Sequence, residues 1–144
     1  MAKRSHTLRL DGEKIQLRLT VAGQRVLRET YQEEPLQVIL GAAADGEKMA
    51  ALLEEALNWK GNENRISDGE ELYDLLVDHG WNGQAQFGGL AFDIAVQSGL
   101  ISPEQGEKLK QSIAQAVEQA FQCLEEEESG EEEDGNPPFL EERR

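Results

Sequence analysis

The chain reads as α+β and mostly α: an N-terminal β-hairpin, a bundle of about five helices, and an acidic tail without structure. Residues 6–21 alternate apolar and polar around an Asp-Gly pair. From residue 26 to 124, apolar residues recur at three- and four-residue steps, and residues 125–134 hold eight acids in ten positions. Period two marks strands with one buried face, and steps of three and four mark helices. The acidic run is too charged to bury. This divides the chain into one domain over 1–127 and a tail over 128–144.

The hairpin comes first. His6, Leu8 and Leu10 share one face of an extended segment, Asp11-Gly12 is a tight-turn signal, and Ile15, Leu17, Leu19 and Val21 continue the face. Two strands are barely stable alone, so helices or a second subunit must cover the leucines. Residues 22–32 then suit a short helix with Val26, Leu27 and Tyr31 inward, stopped before Pro35. Periodicity leaves Leu36–Leu40 open between strand and helix.

The remaining helices have clearer ends. Asp45 suits the cap of a helix over about 47–60, with Met49, Leu52, Leu53, Ala56 and Leu57 as its apolar stripe and Gly61-Asn62 as its stop. Ser67-Asp68-Gly69-Glu70 has capping-box spacing with Ser67 at the N-cap, opening a helix with Leu72, Leu75 and Leu76 that ends at Gly80. A glycine-rich connection (Gly80, Gly83, Gly88, Gly89) surrounds a helix with Leu90, Ile94 and Val96. Ser102-Pro103-Glu104-Gln105 then opens a long helix, with proline where its missing N–H costs nothing. Its stripe is Leu109, Ile113, Ala116, Val117, Ala120 and Leu124. Carboxylates at its C-terminus oppose the helix dipole, so that end should fray.

Charge narrows the function. There are 14 Lys+Arg against 29 Asp+Glu, a net −15. The first 28 residues carry seven bases and two acids, while residues 125–144 carry ten acids and two arginines. An acidic protein repels phosphate, so nucleic acid and anionic membrane surfaces are poor partners. The single cysteine, Cys123, suits a reducing compartment, and no apolar run approaches a membrane span. Nor does the basic start lead into a signal peptide. A cytoplasmic protein is expected.

Residues for catalysis are scarce. His6 begins a strand, and His79 ends a helix, where a cation is favoured on dipole grounds alone. Neither has a second histidine at ligand spacing, so no metal site is expected. Acids follow Cys123 and would raise its pKa rather than activate it. The glycines match neither phosphate-loop pattern, and Asn62–Gly69 only partly imitates a calcium loop, with Arg65 and Ile66 where ligands belong. Neither an enzyme nor a cofactor is expected. Binding has better candidates: Arg9, Lys14 and Arg18 on the polar hairpin face, and Trp59 and Trp81 as aromatic anchors.

The order of these segments resembles a known family. A hairpin, Leu8-Arg9-Leu10-Asp11-Gly12-Glu13-Lys14-Ile15-Gln16-Leu17-Arg18-Leu19-Thr20, precedes Met49-Ala50-Ala51-Leu52-Leu53-Glu54-Glu55-Ala56-Leu57. Then come Ile66-Ser67-Asp68-Gly69-Glu70-Glu71-Leu72-Tyr73-Asp74-Leu75-Leu76-Val77-Asp78, a helix of Leu90-Ala91-Phe92-Asp93-Ile94-Ala95, and an acidic end. Over residues 6–124 this resembles the tail assembly chaperones of long-tailed, non-contractile bacteriophages and prophages. The resemblance implies a host-cytoplasmic protein that coats the apolar, helical tape measure protein, recruits tail tube subunits and then leaves. It brings no catalytic or metal residue with it. Contacts are expected on the hairpin and leucine-rich helices, at Arg9, Arg18, Leu52, Leu76, Trp59 and Trp81. An open hairpin edge also invites pairing with a second copy. Two other readings stay open: an acidic regulator of a basic protein, and a small enzyme of unrecognised type.

Overall fold

The computed structural model describes the backbone of residues 5–134 and the side chains of residues 5–124. Strands β1 (His6–Leu10) and β2 (Glu13–Leu17) pair antiparallel, His6 opposite Leu17 and Leu10 opposite Glu13. Asp11 and Gly12 both take positive φ, as a two-residue hairpin turn requires. Six helices follow among the described residues: α1 (Val21–Tyr31), α2 (Pro35–Ala42), α3 (Gly46–Leu57), α4 (Gly69–Asp78), α5 (Gly83–Gln97) and α6 (Pro103–Asp134). The architecture is α+β and mostly α. The sixth helix is α2, the segment that periodicity left open. Pro35 starts it at the first helical position, and Val38, Ile39 and Ala42 are buried.

α3 is the hub. It packs on α1, α2, α4, α5 and β2, and its Met49, Leu52, Leu53, Ala56 and Leu57 are buried. Asp45 caps it, accepting from the Glu47 and Lys48 N–H groups. The hairpin lays Leu8, Leu10, Ile15 and Leu17 onto this core. The Arg18 N–H then bonds the Ala56 carbonyl at 2.9 Å, tying the end of β2 to α3. α4 meets α3 more closely than a side chain allows: a Cβ on Gly69 would strike the Ala50 carbonyl oxygen.

Several boundaries differ from the sequence pattern. β2 stops at Leu17 because Thr20 caps α1, accepting from the Gly23 N–H at 3.2 Å. Val21 therefore leaves the buried face and is 70% exposed, whereas Leu19 stays buried. Within α1, Leu27 and Gly23 point inward; Val26 is exposed and Tyr31 half-buried. α3 ends at Leu57, with Asn58 as its C-cap. The cap of α4 is Asp68, not Ser67, because the Asp68 carboxylate reaches both the Glu70 and Glu71 N–H groups. Gly83, Gly88 and Gly89 lie inside α5. Gly88 is there for close packing, since a Cβ would come within 2.6 Å of Ile113 Cδ1 and 3.1 Å of Ala43 Cβ.

α6 opens with the expected reciprocal box. Gln105 N–H donates to Ser102 Oγ at 3.1 Å, and Ser102 N–H donates to Gln105 Oε1 at 2.9 Å. The helix packs on α5, and Gly106, Leu109 and Ile113 lie along that contact. It runs to Asp134, seven residues beyond the domain boundary expected at 127. Glutamate is a good helix former, which offsets some of the carboxylate repulsion. The rest of the expected unstructured tail, 135–144, lies outside the described residues. No helix among the described residues is long and apolar enough to cross a membrane.

Candidate functional site

The polar hairpin face is built from cross-strand neighbours. Arg9 lies opposite Lys14, and both side chains are exposed. Arg18 lies just beyond β2 and leans over Trp59, its guanidinium carbon 5.8 Å from the ring centroid. Arg18 Nη1 is buried with no hydrogen-bond partner among the described residues. Trp59 is not an exposed anchor. Its ring is buried, and its Nε1–H donates to the Gln16 carbonyl at 3.1 Å. Asn64 completes this corner: it accepts from the Gln16 N–H at 2.8 Å and donates to the Gln16 and Leu57 carbonyls. Together they close the outer edge of β2 and remove one of the two hairpin edges from strand addition.

Leu52 and Leu76, expected as contact residues, are both 0% exposed. They belong to the core, because α3 and α4 turn their leucine faces toward each other. The folded chain does not offer them to a partner. Trp81 is half-buried beside Phe87, which in turn stacks on Tyr73 at 4.5 Å. One side of Trp81 borders a shallow concavity of about 240 Å³, which His6, Gln86, Asp93 and Lys110 also line.

Electrostatics in that concavity are largely settled by its own residues. Asp93 pairs tightly with Lys110 and lies 3.8 Å from His6 Nε2. Burial pushes the His6 pKa down; Asp93 opposes this and Lys110 adds to it. With its carboxylate already neutralised, the concavity is a poor place for proton transfer. His79 is different. It caps α4, with Nδ1 on the Leu75 carbonyl at 2.9 Å and Nε2 on the Asp11 carboxylate at 2.8 Å. Both partners only accept, so the ring must donate twice, as imidazolium does. Its pKa is raised accordingly, most by the Leu75 bond and next by Asp11. His79 thus clips the hairpin turn to α4. Among the described residues, no three His, Cys, Asp or Glu side chains cluster as a metal site would need.

Among the described residues, α6 carries apolar side chains without cover. α6 has 32 residues against 15 in α5, its packing partner, so about 25 Å of helix outruns its support. The stripe expected along one face of this helix therefore splits. Ile113 and Val117 are half-buried, while Ala116, Ala120, Cys123 and Leu124 are exposed. Leu124 is 54% exposed and Phe121, which the stripe omitted, 61%. Cys123 is accordingly a surface residue. Helix length was the available signal: no other predicted helix is long enough to lie beneath residues 117–134. No family model matches the chain, and no curated protein or solved structure matches it either.

Proposed function

We propose that the protein is a non-enzymatic tail assembly chaperone of a bacteriophage or prophage, working in the host cytoplasm. It binds apolar helical segments of the tape measure protein and brings tail tube subunits to them. The observation that carries this reading is the projecting α6 arm with Phe121 and Leu124 open to solvent. An amphipathic helix with an uncovered stripe is suited to another amphipathic helix, because each buries apolar surface that water would otherwise hydrate. The acidic residues beyond Leu124 keep such a surface soluble. The hairpin-then-helices order agrees with the family that the sequence resembles.

The test is co-expression with a tape measure protein of a long-tailed phage, followed by co-purification. Phe121→Asp with Leu124→Asp should reduce retention at least tenfold while leaving the thermal melt unchanged. The acidic-regulator reading predicts the reverse: capture of basic proteins that survives both substitutions and falls steeply with salt. That outcome, with no retention of the tape measure protein, overturns the chaperone reading.

A further inference from the structure

The two edges of the hairpin are treated differently. On β2 the outward backbone of Gln16 is occupied: its N–H bonds the Asn64 side chain, and its carbonyl accepts from Trp59 and Asn64. Thr7 stands opposite Gln16, and Arg9 opposite Lys14. Residues paired across an antiparallel ladder turn their backbone groups outward together, so Thr7 and Arg9 present theirs along the outer edge of β1. Neither backbone bonds another element among the described residues, and both side chains are exposed. The shallow concavity beside Trp81 follows this same edge. It takes His6 from β1 and nothing from β2, and α5 lines it at Gln86, Gly89 and Leu90. Asp93 meets the His6 end of the strand, and the His79 clip holds the Asp11 end two residues from Trp81. A methyl group on Gly89 would meet nothing within 4 Å, so the concavity is open there. Charge adds a preference. The hairpin's two acids are already paired, Asp11 with His79 and Glu13 with Arg65 at 3.8 Å. Arg9 and Lys14 have no ion pair among the described residues, and like charges directly opposite repel.

We propose that β1 accepts a third strand: an extended segment of a partner protein in which acidic and apolar residues alternate. Its backbone bonds the outward N–H and carbonyl groups of Thr7 and Arg9. Side chains of the new strand opposite these two share their face, where an acid meets Arg9 with Lys14 behind it. The residues between turn toward the helices, and an aliphatic side chain there enters the concavity between Trp81 and Leu90. Charge disfavours a second copy in this place. β1 reads His-Thr-Leu-Arg-Leu, so pairing two copies edge to edge adds an arginine to the basic face and no acid. The uncovered part of α6 is a separate surface, since Phe121 lies about three helical turns beyond Lys110. This inference does not rest on the chaperone reading; either can fail alone.

The probe is a labelled peptide of alternating Glu and Val, titrated into the full chain by fluorescence anisotropy, with amide exchange followed by NMR. Without peptide, the Thr7 and Arg9 amides should exchange at least tenfold faster than those of Leu8 and Leu10, which face β2. Saturating peptide should slow Thr7 and Arg9 at least tenfold. A peptide methylated on alternate backbone nitrogens, or one with Lys in place of Glu, should bind at least tenfold more weakly. Gly89→Leu fills the concavity from an open position, so it should keep the wild-type melt and weaken binding at least tenfold. Arg9→Glu with Lys14→Glu should reverse the preference and take the Lys peptide over the Glu peptide. The proposal is overturned by no saturable binding, by binding that leaves the Thr7 and Arg9 amides unprotected, or by equal binding of the methylated peptide. Unchanged binding by Gly89→Leu would overturn it as well. So would protection of Thr7 and Arg9 that rises with protein concentration in the free chain, which would assign the edge to a second copy.

Discussion

The two ends of the leucine pattern behave oppositely. Around α3 every apolar step is met by a neighbour, and Leu52, Leu53, Leu72 and Leu76 vanish from solvent. Along α6 the same periodicity continues after the neighbours run out, leaving Phe121 and Leu124 exposed. An amphipathic pattern therefore states that a face wants cover, not that the chain supplies it. The contrast breaks most sharply under charge insertion. Leu52→Asp or Leu76→Asp should cost at least about 4 kcal/mol and abolish the cooperative urea transition. Phe121→Asp or Leu124→Asp should move it by no more than about 0.5 kcal/mol. Equal effects at the two ends would mean that the arm is packed in solution.

Backbone approach separates the ends as well. Gly69 brings α4 against α3, where a Cβ would strike the Ala50 carbonyl and lie 2.7 Å from the Glu54 nitrogen. Backbone on both sides cannot yield, so Gly69→Ala should destabilise by about 3 kcal/mol. Gly89, on α5, is open: a methyl group there would meet nothing within 4 Å. At that position alanine should be neutral or stabilise by about 0.5–1 kcal/mol, through helix propensity alone. Chemical denaturation of both variants checks the pair.

How much of this was readable followed from how local each cause is. The Asp11-Gly12 turn, the Asp45 cap and the Ser102–Gln105 box depend on residues within a few positions, and each forms as the sequence implied. The choice of Asp68 over Ser67 was a matter of side-chain reach between adjacent candidates. What sequence could not show were partners far along the chain. Asn64 reaches Gln16 across 48 positions, and His79 reaches Asp11 across 68. Leu52 and Leu76 failed as contact candidates for the same reason: periodicity marks an apolar face without naming what covers it. Arg9 is exposed as expected, whereas Trp59 went inside because its N–H found a strand carbonyl.

Asn64 offers a smaller test on the well-covered side. Its amide acts as a short extra strand, bonding both the N–H and carbonyl of Gln16. Asn64→Ala leaves the Gln16 N–H and the Leu57 carbonyl short of partners, while Trp59 still donates to the Gln16 carbonyl, at a cost of about 2 kcal/mol. Hydrogen exchange should then accelerate at the Gln16 amide in particular. Uniform acceleration across α3 and α4 would show that Asn64 supports the whole core rather than the strand edge.

The smallest effects, and the most site-specific, belong to the two histidines. His79 is held as a double donor, so folding favours its charged form. Its contribution is fully present below the ordinary value of about 6.5 and is lost as pH rises through the raised folded value. His6 runs the other way. Burial favours its neutral form, so its contribution holds above about 6.5 and is lost as pH falls through the lowered folded value. Imidazole NMR titration should therefore give one midpoint on each side of about 6.5. Asp11→Asn should bring the His79 midpoint down and leave His6 in place, since His6 faces Asp93 and Lys110 instead. Midpoints on the same side would mean that the His79 clip between turn and α4 is open in solution.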